Sequence, residues 1–325
     1  MPLPSPERTR FDIAELLASC PPRFRDPNKQ AVFELVGQDP SITGTIEMVR
    51  WPERPRPLAV EESRDIELRP DTFGYEPAPA GECHWYLNFA DEVLFAAWPS
   101  RLLAQDELQV LEHPVLGSVQ NACMARGGIP RTIDAHDRPT PITLTGVPRM
   151  LALDTAPSAA AGRRGGLYGN AFTAASTATV LSAVTPIRPA TRSNILAIRA
   201  PSYGRGIYSD VDLDYILAAA TTGFGAAHDE SVRLVGPDVR TVVHTGFWGC
   251  GAYGGNRTVM TFLQSMAADL SHVDLVFHTV DAAGLPGAEV ALTLYRNERE
   301  RERSTKGLLD RLAGHGFVWG VSNGT

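Results

Sequence analysis

Four carboxylates fall within seventeen residues of one another: Asp91, Glu92, Asp106 and Glu107, in the stretch NFADEVLFAAWPSRLLAQDE at 88–107. Paired carboxyls are the groups that break glycoside bonds. One protonates the leaving oxygen, and the other orients water or stabilises the positive charge that builds on the sugar. The spacing predicts a helix over Arg101–Glu112, bounded by Pro114. With Leu103 at the origin and about 100° per residue, Val110, Leu111 and Leu108 define an apolar arc. Glu107 falls inside it near ~40° and Asp106 at its edge near ~300°, whereas Gln105, Gln109 and Glu112 lie opposite, near ~180–240°. A carboxyl on the buried face is costly unless it is paired or functional, and burial raises its pKa toward that of a general acid. Two plainer readings stay open: an arginine pairs with Glu107, or the helix begins later.

The second chemical stretch is RTVVHTGFWGCGAYGGNRTVM at 240–260, with Gly246, Gly249, Gly251, Gly254 and Gly255. Val242 and Val243 close a β-branched run that reads as a buried strand. Asn256 is placed to cap a helix in which Val259, Phe262, Leu263 and Met266 recur at helical spacing, and a strand follows at 274–279. Glycines between a strand and a helix N-terminus let backbone N–H groups approach an anion, so a phosphate or diphosphate is the natural occupant. Interleaved rings (Phe247, Trp248, Tyr253) suit a nucleotide's sugar and base. The bland alternative is a turn that merely closes a βα unit.

THTGFWGCGAYGG resembles the diphosphate-binding loop of the poly(ADP-ribose) glycohydrolases, a long string containing Trp and Cys. The resemblance implies ADP-ribose contacts from Thr245, Gly246, Gly249, Cys250, Gly251, Ala252, Tyr253, Gly254 and Gly255, with the Tyr253 ring against a ribose. A weaker resemblance covers 88–107. That family carries three glycines, six to eight residues, then Gln-Glu-Glu; here Phe95-Ala96-Ala97, seven residues, then Gln105-Asp106-Glu107. NFAD stands where the family has Asp-Phe-Ala-Asn, with acid and amide exchanged. By resemblance Glu107 is catalytic, Asp106 its neighbour that holds the substrate, and Asp91 the ribose contact, with Asn88 and Gln105 at the ligand. Phe95, Ala96 and Ala97 are expected to narrow the backbone's approach to the ribose. No adenine-stacking ring is evident beyond the last strand, where His278 or Val280 stands.

Around these stretches the chain alternates strands and helices. The expected fold is α/β: a macrodomain-like three-layer core with a mixed, mostly parallel central sheet and an N-terminal extension. The expected division is 1–80 as extension, 81–295 as core and 296–325 as a charged C-terminal segment. Residues 1–10 read as loose, Asp12–Ser19 as a short helix, and 50–82 as a long irregular connection. His84–Ala90, 141–145 and Asn194–Ala200 read as strands, and Asp212–Ala220 as a helix. The loop 155–170 carries Arg163 and Arg164 and reads either as a cover over a pocket or as plain surface.

A net charge of −7 over 325 residues argues against a general nucleic-acid binder. No apolar run is long enough to span a membrane, and no signal core opens the chain. Four cysteines, at 20, 83, 123 and 250, show no metal or disulfide spacing, so a reduced cytoplasmic protein with no metal and no cofactor is expected. Cys250 reads as a small apolar filler, because no base accompanies it. The functional expectation is a hydrolase that removes ADP-ribose from modified proteins. The crowding of acids favours arginine-linked mono-ADP-ribose, poly(ADP-ribose) being the alternative and a non-catalytic ADP-ribose reader the third reading.

Overall fold

The computed structural model describes residues 5–37, 42–322 and 324. In chain order the strands are β1 (Glu7–Asp12), β2 (Thr45–Arg50), β3 (Ile66–Arg69), β4 (Glu82–Ala90), β5 (Ile142–Leu153), β6 (Val184–Arg199), β7 (Arg240–Gly246) and β8 (Asp274–His278). The helices are α1 (Ile13–Ser19), α2 (Pro27–Val36), α3 (Gln105–Glu112), α4 (Val115–Ala125), α5 (Asn170–Ala174), α6 (Thr177–Leu181), α7 (Asp210–Val235), α8 (Arg257–Ser271), α9 (Leu285–Arg301) and α10 (Thr305–Gly314).

The strands form one sheet in the order β1-β2-β5-β6-β4-β7-β8-β3. Its first half is antiparallel, and from β6 through β4, β7 and β8 to β3 every pair is parallel. The mixed, mostly parallel sheet is therefore present, with the junction between the two halves beside β4. Period-2 alternation along β4 builds the two faces. Cys83, Trp85 and Leu87 enter a core shared with α7, α8, α9 and α10, while Tyr86 and Ala90 enter another shared with α1 to α6. The result is three layers.

Several expectations change. Residues 7–10, read as loose, form most of β1 and pair with β2; residues 1–4 lie outside the described residues. Within 50–82 a short strand, β3, adds itself parallel to β8 at the sheet edge. The helix expected over Asp212–Ala220 runs from Asp210 to Val235, opened by Ser209 and Asp212 in a reciprocal cap and closed at Gly236. Its interior Gly223 is a packing residue: a Cβ there would meet Ile198 Cδ1 of β6 at 2.2 Å. The charged run in 296–325 lies on α9 and the segment after it. Leu308 and Leu312 from this region are buried in the second core. Among the described residues no helix is long and apolar enough to cross a membrane.

Candidate active site

The helix bearing the acids starts at Gln105, so Arg101–Ala104 precede it. Glu107 is its third residue, and its Oε2 accepts from Ala104 N at 2.9 Å, half of a capping box. Asp106 and Glu107 are both buried, at 7% and 3% exposure. The predicted polar face is buried too. Gln109 donates to the Tyr75 hydroxyl at 3.0 Å, and Glu112 pairs with Arg149 at 2.9 Å. The amphipathic reading fails because α3 is enclosed on all sides. Its acidic first turn sits at the positive end of the helix dipole.

The acid–amide exchange at 88 and 91 has a local reason. Asn88, fully buried on β4, donates through Nδ2 to Asp106 Oδ1 at 2.9 Å. A carboxylate at 88 would oppose Asp106 with like charge. Asn88 Oδ1 has no partner among the described residues. Burial, and then Glu107, push the Asp106 carboxyl well above the usual range. Burial likewise raises Glu107, opposed by Lys29 and by the N–H groups of Glu107 and Ala104, and reinforced by Asp91.

Asp91 lies just past β4, exposed, and accepts from Glu92 N at 2.7 Å. The Tyr253 hydroxyl of the glycine loop faces it. Glu92 pairs with Arg131 instead of joining the cluster. The four-carboxylate cluster expected from sequence is thus three acids, of which only Asp91 is exposed.

Gln105 is spent elsewhere. Its Oε1 accepts from Phe89 N at 2.8 Å and its Nε2 donates to Leu87 O at 2.9 Å, so it clamps α3 onto β4. Phe95 stands where the resembled family has glycine, and its φ is +57°, the left-handed region glycine favours. The ring is fully buried in the first core. The expected narrowing therefore does not come from Phe95, and on this stretch only the Ala96 methyl is exposed.

The glycine loop follows β7 at the carboxyl end of the parallel strands, where open α/β sheets bind ligands. Among the described residues nothing accepts from the backbone N–H groups of Gly251, Ala252 and Tyr253, which leaves three successive donors beside the N-terminus of α8. Gly249 (φ +73°) has no room for a side chain, since a Cβ would meet Ala200 Cβ at 2.6 Å; Gly254 (φ +71°) backs onto residues 320–322. A Cβ on Gly246 or Gly255 would meet a backbone oxygen at 2.7 or 2.8 Å. Asn256 caps α8, accepting from Thr258 N at 2.9 Å and Val259 N at 3.3 Å.

The rings divide. Trp248 is buried and donates to Ile198 O at 3.0 Å, and Phe247 packs edge-on against Phe277; both hold the loop down. Tyr253 alone remains partly open. Thr245 is fully buried and its hydroxyl donates to Gln264, while Cys250 is half-buried with its thiol pushed up by burial to about 12, which disfavours a nucleophile there.

At the far end, His278 is not a stacking ring. It belongs to a hydrogen-bonded chain that runs from the exposed Asp71 through the buried His278 (2.6 Å) and His244 (3.0 Å) and on by His84 (3.1 Å) to Glu82 (2.7 Å). Burial holds His244 neutral, down to about 2. Val280, 64% exposed at φ +72°, is the open residue there. In the 155–170 loop, Arg163 is buried and pairs with Asp154 at 2.5 Å, whereas Arg164 is exposed.

Two residues at the site escape a sequence reading. Tyr168, half-exposed just before α5, has its hydroxyl pushed up by burial and then by the charge of Glu107. Lys29, on α2, is fully buried and lies in the field of Glu107, Asp26 and Asp106.

Comparison with known proteins bears on this site. Similar solved structures include poly(ADP-ribose) glycohydrolase from Thermomonospora curvata bound to the inhibitor ADP-HPD, at 19% identity over 72% of this chain and 78% of that one, TM-score 0.45. Another structure from Thermomonospora curvata gives 17% identity over 87% and 97%, TM-score 0.46. The enzyme from Deinococcus radiodurans in complex with ADP-ribose gives 11% identity over 90% and 94%, TM-score 0.41. No curated protein matches the chain. The family model described as poly(ADP-ribose) glycohydrolase, macro domain fold, matches residues 166–286, a span that holds the whole glycine loop and stops short of the acids at 88–107. Residues 166–286 of this chain are thus similar to the poly(ADP-ribose) glycohydrolases and their macro domain fold.

Proposed function

We propose that the protein is a glycohydrolase that cleaves the bond at the anomeric carbon of an ADP-ribosyl ribose. The N–H groups of Gly251, Ala252 and Tyr253 hold the diphosphate, and the Tyr253 ring packs against the ribose. Glu107 gives its proton to the leaving oxygen as the carbon–oxygen bond breaks. Water then adds to the anomeric carbon and returns a proton to the Glu107 carboxylate, with Asp106 beside it to hold the substrate and oppose the developing positive charge. The observation that carries this reading is that β4 and β7, parallel neighbours in the sheet, lead one to the acid pair held by Asn88 and the other to the anion-binding loop.

A ribose–ribose linkage, as in poly(ADP-ribose), is the better supported substrate. An arginine-linked substrate would release a guanidinium, a cation that several open carboxylates would favour. With Glu92 paired to Arg131, only Asp91 supports that second reading. The test is release of ADP-ribose from poly(ADP-ribose) and from arginine-modified protein, side by side. Wild type is expected to act on polymer, and Glu107→Gln to keep ADP-ribose binding while losing turnover by at least ~100-fold. Binding without release from either substrate would leave a reader rather than an enzyme.

A further inference from the structure

The chain has two lysines among its 30 basic residues, Lys29 and Lys306. Lys306 is exposed and pairs with Asp310, one helical turn away. Lys29 is different: its side chain is fully buried, and among the described residues it has no ion-pair partner within 4.0 Å. Its Nζ donates to Trp98 O at 3.0 Å and to Leu102 O at 2.5 Å. Those carbonyls belong to the segment that leads into α3, whose third residue, Glu107, closes back on Ala104 N. The ammonium is therefore fixed to the same backbone that fixes the acids.

We infer that Lys29 is a positioning residue that sets the protonation of the Asp106–Glu107 pair, holding it at one proton and one negative charge. The inference rests on the glycohydrolase reading above. A buried ammonium needs compensating charge, and the acids acting on Lys29 are Glu107 first, then Asp26 and Asp106. Asp26, itself buried, caps α2 and accepts from Lys29 N at 3.0 Å, so its charge is met by the positive end of that helix. Two carboxyls and one ammonium in a desolvated cluster are neutral when the carboxyls share one proton. One acid and one carboxylate is also the count that glycoside cleavage requires.

The other groups facing the pair cannot supply that balance. Asp91, from the loop after β4, adds negative charge; Asn88, from β4, donates to Asp106; Tyr168 approaches from the segment before α5. Burial lowers the Lys29 ammonium to about 8, within the range where a lysine can respond to its neighbours and an arginine cannot.

The sign follows from the charges. As pH falls the pair takes up its second proton and loses its carboxylate. Lys29 opposes that uptake, so its removal moves the uptake to higher pH. Lys29→Met should shift the acidic limb of the kcat–pH profile up by at least one pH unit, a tenfold loss of rate at a pH on that limb, while Lys29→Arg keeps the limb in place. A melting temperature of Lys29→Met at or above wild type is the expected sign of an intact fold, because an apolar side chain replaces a buried unpaired charge.

A second readout needs no turnover: calorimetry of ADP-ribose binding in buffers of different ionisation enthalpy. Its proton linkage should shift by the same pH interval in Lys29→Met. If wild type binds but releases nothing and the linkage still shifts, the glycohydrolase reading fails and the role of Lys29 stands. A third readout avoids replacing Lys29 at all. With two lysine resonances in the NMR spectrum, Glu107→Gln should lower the Lys29 titration from about 8. An unshifted limb and linkage in folded Lys29→Met, or a Lys29 titration indifferent to Glu107→Gln, would overturn the inference.

Discussion

The glycine loop and the acid stretch meet at Tyr253 and Asp91, yet they are built in opposite ways. The loop is local. Strand, glycines and capped helix follow one another in a single run, and the positive φ angles fall on Gly249, which has no room for a side chain, and on Gly254. The acid stretch is assembled from a distance: Asn88 orients Asp106, the Gln105 amide docks on the strand beneath, and the charges that decide the protons come from α2 and α3. Where the loop keeps glycine for its backbone shape, the acid stretch keeps the shape at Phe95 and uses the ring as core. Backbone geometry and side-chain identity are separable in one half of the site and inseparable in the other.

The sharpest way to break that contrast is at Phe95. Phe95→Ala should destabilise the protein by ~3–5 kcal/mol, the cost of deleting a buried ring. Phe95→Gly loses the same ring but relieves a left-handed residue, a gain of ~1–2 kcal/mol. The glycine variant should therefore be the more stable of the two in urea unfolding, the reverse of the usual order in regular structure. If glycine is no better than alanine, Phe95 carries no conformational strain and the contrast with the loop disappears.

The complementary substitution is Gly249→Ala. The left-handed φ and the methyl against Ala200 Cβ together should cost ~1–3 kcal/mol. The displaced loop should also lose its ligand response. Wild type at 100 times Kd gains ~2.7 kcal/mol from ADP-ribose. Thermal melts with and without ADP-ribose check both parts, and a variant that keeps the full ligand shift would show that the loop is not the diphosphate cradle.

The same contrast explains how much was legible beforehand. The order of β7, the loop, α8 and β8 could be read residue by residue, because glycine, cap and apolar spacing act within one turn of chain. The burial of Glu107 was also reached, but from a helix counted from Leu103, which lies outside it. The enclosed polar face of α3 could not be read, since Tyr75 and Arg149 reach it from remote segments. Phe247, Trp248 and Thr245 looked like ligand contacts because a motif shows which residues are present and not which way they point. Lys29 left one signal, the scarcity of lysine in an arginine-rich chain, and nothing local says what lies above it. Gln105 shows the same limit: a polar residue beside two acids reads as a ligand contact until both ends of its amide are found on β4.

The smallest effect is expected at Asp91, where the two regions touch. Asp91 accepts a bond from Glu92 N and faces the Tyr253 hydroxyl, and an asparagine offers the same acceptor oxygen in the same place. Asp91→Asn therefore keeps the junction and removes one exposed negative charge. A polymer substrate presents neutral ribose hydroxyls and loses a neutral alcohol, so its turnover should change by less than ~10-fold, or ~1.4 kcal/mol. A guanidinium leaving group would instead lose a charge-assisted hydrogen bond of ~1.5–3 kcal/mol and slow by ~10–100-fold. Rates on both substrates, wild type against Asp91→Asn, separate the cases. A large loss confined to arginine-modified protein, with wild type preferring that substrate, would overturn the polymer reading and make Asp91 the residue that selects the acceptor.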